Sequence, residues 1–188
     1  MSFAGPPDFR PLLPVIHTLS PEAAGGYAKS MGTTSLTSTA WGTNNTLAVG
    51  VPFVLPFAFT VAKIGWANAG TVTGTVDAGV YDEAGNRIFS ARHENSDTNI
   101  NHASASAVQS QTVTGQTLPP GRYYFFFTLS ATTATILMAP TTAVKGRAAG
   151  LVVATVSSAV LASTLTYAVY NQTTGIPFMG ITSRSTQF

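Results

Sequence analysis

Hydrophobic and polar positions alternate most cleanly between Thr71 and Tyr81. Val72, Gly74, Val76, Ala78 and Val80 fall on one face, and Thr71, Thr73, Thr75, Asp77, Gly79 and Tyr81 on the other. A period of two predicts a strand in a sheet with one face buried. Asp82-Glu83-Ala84-Gly85-Asn86 follows at once, and Gly85 can take the positive φ of a type I turn with a bulge, so a hairpin into Arg87–Ala91 is expected. Upstream, Phe57, Phe59, Val61 and Lys63 alternate against Ala58, Thr60, Ala62 and Ile64 in a strand running to Trp66, and Leu47–Leu55, interrupted by Pro52, suits an edge strand. Downstream, Ala107–Thr114 resumes the alternation, and Leu118-Pro119-Pro120-Gly121 makes a tight turn before Arg122–Leu129. Five consecutive aromatics, Tyr123 to Phe127, cannot all face one way along a strand. Either both faces are covered, one by the core and one by a partner or arm, or an aromatic ledge lies open. Thr135–Ala139 gives one more strand, and a short helix fits between Thr142 and Gly150. Runs of this kind recur about every ten to fifteen residues, the spacing of an antiparallel sandwich.

The ends of the chain break this rhythm. Four prolines within the first fourteen residues remove backbone donors and push their predecessors into extended conformations. This stretch lacks the basic and continuous apolar regions of a secretory signal and reads as an extended N-terminal arm. Its Phe3, Phe9, Leu12 and Leu13 still need burial, either in an arm folded back on its own domain or in one docked on a neighbouring subunit, and the second reading makes them the candidate subunit contacts. Residues 17–45, rich in Gly, Ser, Thr and Ala, read as a mostly irregular connector, so the expected division is 1–45 arm and connector and 46–188 β-sandwich. The segment Arg92–Ser106 is polar and reads as a long exposed loop. Between Arg147 and Arg184 there is no charged residue. Ala148–Tyr170 is long enough to cross a membrane, but Thr155, Ser157, Ser158, Ser163, Thr164 and Thr166 interrupt it, and it reads as buried strand and subunit contact.

Composition sharpens the picture. Only 9% of the 188 residues are charged, against the roughly 25% of ordinary domains. The 28 threonines and 16 serines keep the surface polar instead, and threonine favours strands. A net charge of +2, from nine scattered Lys and Arg, leaves neither a nucleic-acid footprint nor a polybasic membrane patch, so neither partner is expected. The absence of cysteine excludes disulfides, thiolate zinc sites and cysteine nucleophiles. All seven carboxylates lie at or before Asp97, so the later part of the chain is the charge-poor one.

Few constellations carry chemistry. Asp97-Thr98-Asn99-Ile100-Asn101 begins like a calcium loop, but His102 stands where glycine is needed and Val108 where the bidentate glutamate belongs. His93, Glu94, Asp97 and His102 could supply a base and an orienting group, although four polar residues in one Asn-rich segment are ordinary loop composition. Asp82 and Glu83 are adjacent carboxylates in one turn rather than a pair across a cleft. No nucleophile elbow, phosphate-binding loop or zinc-protease motif is present. The expectation is a non-enzymatic protein with no cofactor and no metal. Trp41, Trp66, Tyr81, Tyr123, Tyr124 and Tyr167 could stack on sugar rings, or pack as core and subunit contact. Trp66, Tyr123 and Tyr124 are the candidate glycan or partner contacts.

Three stretches carry a resemblance. Phe53-Val-Leu-Pro-Phe-Ala-Phe-Thr-Val-Ala-Lys-Ile-Gly-Trp66, Gly70-Thr-Val-Thr-Gly-Thr-Val-Asp-Ala-Gly-Val-Tyr-Asp-Glu-Ala-Gly-Asn-Arg-Ile88 and Leu118-Pro-Pro-Gly-Arg-Tyr-Tyr124 resemble a β-sandwich module of tailed-bacteriophage structural proteins, and Ile176–Ile181 looks like its end. The resemblance covers about residues 46–183 and transfers no site residues. It implies an all-β, antiparallel jelly-roll-like β-sandwich displayed in the virion, as a capsid decoration or head-fibre protein. The expected partners are other virion proteins and further copies of this chain, with a trimer as the first expectation. In this reading the arm and the uncharged C-terminal third bury surface between subunits. The alternatives are a tail or baseplate component, or a carbohydrate-binding module that contacts host-surface glycans.

Overall fold

A computed structural model describes residues 17–18, 27–29, 37–41, 46–139, 147, 150–171 and 175–183. Three short strands come first: β1 (His17–Thr18), β2 (Tyr27–Lys29) and β3 (Thr37–Ala40). They precede β4 (Leu47–Leu55), β5 (Phe59–Ala67), β6 (Thr75–Asp82), β7 (Arg87–Ser90), the one-turn helix α1 (Ala91–Glu94) and β8 (Ile100–Asn101). The chain continues through β9 (Val108–Leu118), β10 (Gly121–Leu129), β11 (Thr135–Ala139), β12 (Val152–Thr155), β13 (Tyr167–Val169), β14 (Ile176–Pro177) and β15 (Met179–Thr182). The protein is an all-β sandwich of antiparallel sheets. The main sheet runs β13-β12-β4-β10-β6-β7, with β1 alongside β4 and β8 alongside β6; a second runs β2-β15-β5-β9, and a third β14-β11-β3. The long strands β4, β5, β6, β9 and β10 alternate between the main and second sheets, so the Leu118-Pro-Pro-Gly121 turn carries the chain from one layer to the other.

The main core lies between these layers. Phe53 and Phe125, neighbours on β4 and β10, stack with centroids 4.1 Å apart, and Trp41 and Trp66 close on Phe127. At the crossover, the Tyr123 hydroxyl donates to the Pro119 carbonyl at 2.7 Å and pins the start of β10 to the turn that feeds it. The 82–86 hairpin forms as expected. Asp82 N–H donates to Asn86 O, Gly85 sits at φ 85, and the register slips by one residue beside Tyr81, the bulge such a turn demands.

Four expectations change. Pro52 does not make β4 an edge: the strand is central, between β12 and β10. On its β12 side, pairing stops at Gly50 and β1 begins at Phe53, so the proline falls at a break where a missing donor interrupts no ladder. Where the connector is described it is mostly strand rather than irregular, because β1, β2 and β3 each join a different sheet. β6 is buried on both faces: Val76, Ala78 and Val80 face the main core, while Asp77 and Tyr81 are covered on the other side. The fourth concerns the aromatic run. Tyr123, Phe125 and Phe127 face the main core, and Tyr124 and Phe126 enter a second cluster with Tyr81, Val156, Leu161 and Leu165. The second face is therefore covered by the chain's own segment 156–165, which the sequence reading had assigned to contact between subunits. Phe126 pairs with Gly50 on β4 and Gly79 on β6, and a Cβ on Gly50 would stand 2.6 Å from the Phe126 ring. A bulky ring thus lies flat on a sheet because its neighbour has no side chain.

No helix among the described residues is long and apolar enough to cross a membrane, and residues 150–171 form short strands and turns. The helix expected between Thr142 and Gly150 lies almost entirely outside the described residues, as do Phe3, Phe9, Leu12 and Leu13 of the arm.

Candidate functional site

Carboxylates and histidines were the groups with chemical potential, and the fold separates them. Asp77, at the middle of β6, is fully buried. One of its oxygens accepts Arg92 N–H at 3.0 Å and the other Leu161 N–H at 3.1 Å, so a single side chain ties α1 and the 156–165 segment to the main sheet. Burial pushes its pKa up to about 6, against the pull of those two N–H groups, the Ser90 hydroxyl and the Arg87 charge. The same burial, reinforced by the Asp77 charge, pushes the Tyr81 phenol far above its ordinary value, and Tyr81 Oη donates to Ala162 O at 2.6 Å. Arg87 completes the clip, donating from its guanidinium to Leu161 O and from its backbone to Ser163 O, both at 2.8 Å.

Asp82 serves its own turn. Burial is the largest single influence and raises its pKa, but the donors from the Asn86 side chain and the Asn86, Ala84 and Gly85 backbone together outweigh it and hold the carboxylate below its usual range. Glu83 lies 3.6 Å from Arg122, which also donates to Tyr124 Oη at 3.3 Å and sits over that ring. Tyr167 Oη donates to the Glu83 carbonyl and its ring packs on Tyr124, centroids 5.2 Å apart.

The acid/base set that residues 93–102 could have supplied does not assemble. Asp97 is taken by Arg92 at 3.0 Å and His93 at 3.6 Å on the surface, and Glu94 accepts Thr114 N–H at 3.0 Å. His102 points inward, 4% exposed, with Nε2 2.9 Å from Asn68 Oδ1. The exposed-loop reading of residues 92–106 therefore holds for the tips around Asp97 and Ser104 but fails at the buried His102, and Arg92–Glu94 belong to α1 rather than to a loop. Among the described residues no three His, Cys, Asp or Glu side chains gather into a group able to hold a metal.

The proposed glycan-stacking rings are buried: Trp66 is 1% exposed, Tyr123 6% and Tyr124 7%. A sugar ring needs an open aromatic face, and these rings are already packed against Phe127, Phe53 and Tyr167. The sequence reading missed Asp77 and His102 as structural fasteners. Asp77 carried one signal, a lone carboxylate in mid-strand flanked by Gly79 and Tyr81, which are poor choices for a solvent face. His102 carried none. The chain matches no protein-family model, and no curated protein is similar to it.

Proposed function

We propose that the chain is a non-enzymatic structural subunit of a tailed-phage particle, displayed on the capsid as a decoration or head-fibre protein and held by its N-terminal arm and subunit contacts. The observation that carries this reading is the use made of the acidic groups. All five described carboxylates, Asp77, Asp82, Glu83, Glu94 and Asp97, bind the chain's own backbone or a neighbouring cation, so each acts as a fastener of loops on a sandwich. The resemblance to phage β-sandwich modules supports it further, since its stretches coincide with β4, β5, β6 and the β9–β10 crossover, the centre of the fold. Segment 156–165 is spent within the subunit, which leaves the arm as the main candidate for contact with neighbours.

Light scattering on the full chain should give a trimer mass, and mass spectrometry of purified particles of the encoding phage should find the protein in stoichiometric amount. Deleting residues 1–16 should abolish incorporation or oligomerisation. A monomeric full chain that is also missing from particles would overturn the proposal.

A further inference from the structure

The 101–107 segment is held by an unusual buried group. Asn68, at the end of β5, is fully buried, and its Nδ2 donates to the Ala103 carbonyl and, at 3.1 Å, to Gln109 Oε1. Gln109 in turn donates to Asn101 O at 2.7 Å and accepts Ala103 N–H at 3.1 Å. With Nδ2 so committed, Asn68 Oδ1 is the acceptor facing His102, and the imidazole carries its proton on Nε2. His102 Nδ1 is buried and without a hydrogen bond. The loop itself is strained, with Ser104 at φ 63 and Ser106 at φ 55, left-handed conformations that non-glycine residues keep only when their surroundings impose them.

We propose that the His102–Asn68–Gln109 group is an acid-sensitive clasp, which holds the 101–107 segment against the sandwich at neutral pH and releases it on acidification. Protonation puts a second N–H on Nδ1 and a charge in a buried site. The partners of the ring are uncharged, Asn68 Oδ1 at Nε2 with Gln109 behind it and the Thr73 carbonyl, while the Gly74 carbonyl holds the His102 backbone N–H at 2.9 Å. Among the described residues, no carboxylate hydrogen-bonds to or pairs with the ring to meet the charge. Burial accordingly holds the imidazole pKa below its ordinary value, with the Thr73 carbonyl opposing only in part. The released segment takes up its proton near the ordinary histidine value of about 6.5 and the clasped one only at lower pH. The contribution to closure is therefore full above that value and declines as pH falls from it towards the lower value of the clasped ring. The left-handed serines then bias the freed segment away from its folded path.

The test is amide hydrogen exchange, corrected for the intrinsic pH dependence, on the full chain. Between pH 7.0 and 5.5 the opening of amides 101–107 should rise, by up to the roughly tenfold that one linked proton allows, while amides of β4 and β10 stay protected. His102→Gln should abolish the response and His93→Gln should keep it, since His93 stands outside in its pair with Asp97. Opening that does not change with pH, or that rises equally in His102→Gln, would overturn the proposal. Should His102→Gln fail to fold, NMR titration of the wild-type ring decides: a pKa at or above the ordinary value also overturns it.

Discussion

At the scale of single residues, Asp77 shows how a polar position becomes structural. Its carboxylate spans two backbone N–H groups from segments far apart in sequence, and the cost is burial of a charge. Because the folded pKa, about 6, lies above the unfolded value near 3.8, the folded protein binds the proton more tightly. Stability contributed by this group is full below the unfolded value and declines as pH rises to about 6, beyond which it is flat. Asp77→Asn removes that slope. Denaturant unfolding of the two proteins should show a stability difference that shifts by ~2–3 kcal/mol in favour of the variant between pH 4 and pH 7. A difference independent of pH would mean that the two N–H donors cancel the burial penalty.

At the scale of elements, the segment between β12 and β13 governs the main sheet. β10 places aromatic rings on both faces, and a strand in that state is stable only when both are covered. Leu161 is the fully buried centre of the cover, Tyr81, Arg87 and Asp77 clip it down, and Leu165 N–H donates to Gly85 O at 2.8 Å. Leu161→Ala should cost ~2–5 kcal/mol by cavity formation, measured by chemical denaturation. The local signature should be faster amide exchange in residues 156–165 than in β4. A loss under 1 kcal/mol, with exchange unchanged, would show that Phe126 and Tyr81 repack without the cover.

At the scale of the whole molecule, the division at residue 45 and the architecture pull apart. β3 pairs with β11, and Trp41 is buried edge-on against Phe127 at 5.2 Å in the main core. A fragment of residues 46–188 would lose a strand from each sheet and open the core where Trp41 sits. It should unfold about 6–20 °C below the full chain, since losing a buried Trp alone costs ~3–5 kcal/mol and each kcal/mol shifts the midpoint by about 2–4 °C at this size. Scanning calorimetry makes the comparison, and equal midpoints would place an independent domain boundary at 45. The charge deficit acquires a partial explanation at this scale too. The uncharged run includes the cover, and a charged side chain lying on Phe126 and Tyr81 would be buried without a partner.

The sequence by itself determined the long central strands, the hairpin and the class of fold, because these depend on local signals. The Thr71–Tyr81 alternation, the Asp82–Asn86 turn and the prolines at 119 and 120 act within a few residues of where they sit. It also posed the question of the aromatic run correctly, since five rings in a row cannot share one face whatever the fold. What covers the second face, why Pro52 is tolerated in a central strand, and which polar residues are buried were decided only by the tertiary structure. Each depends on segments distant in the chain: Leu161 on Asp77, β1 beside β4, Asn68 against His102. An isolated strand reads the same whether its polar face meets water or a donor brought from 84 residues away, because the partner, and not the strand, sets the cost of burying it.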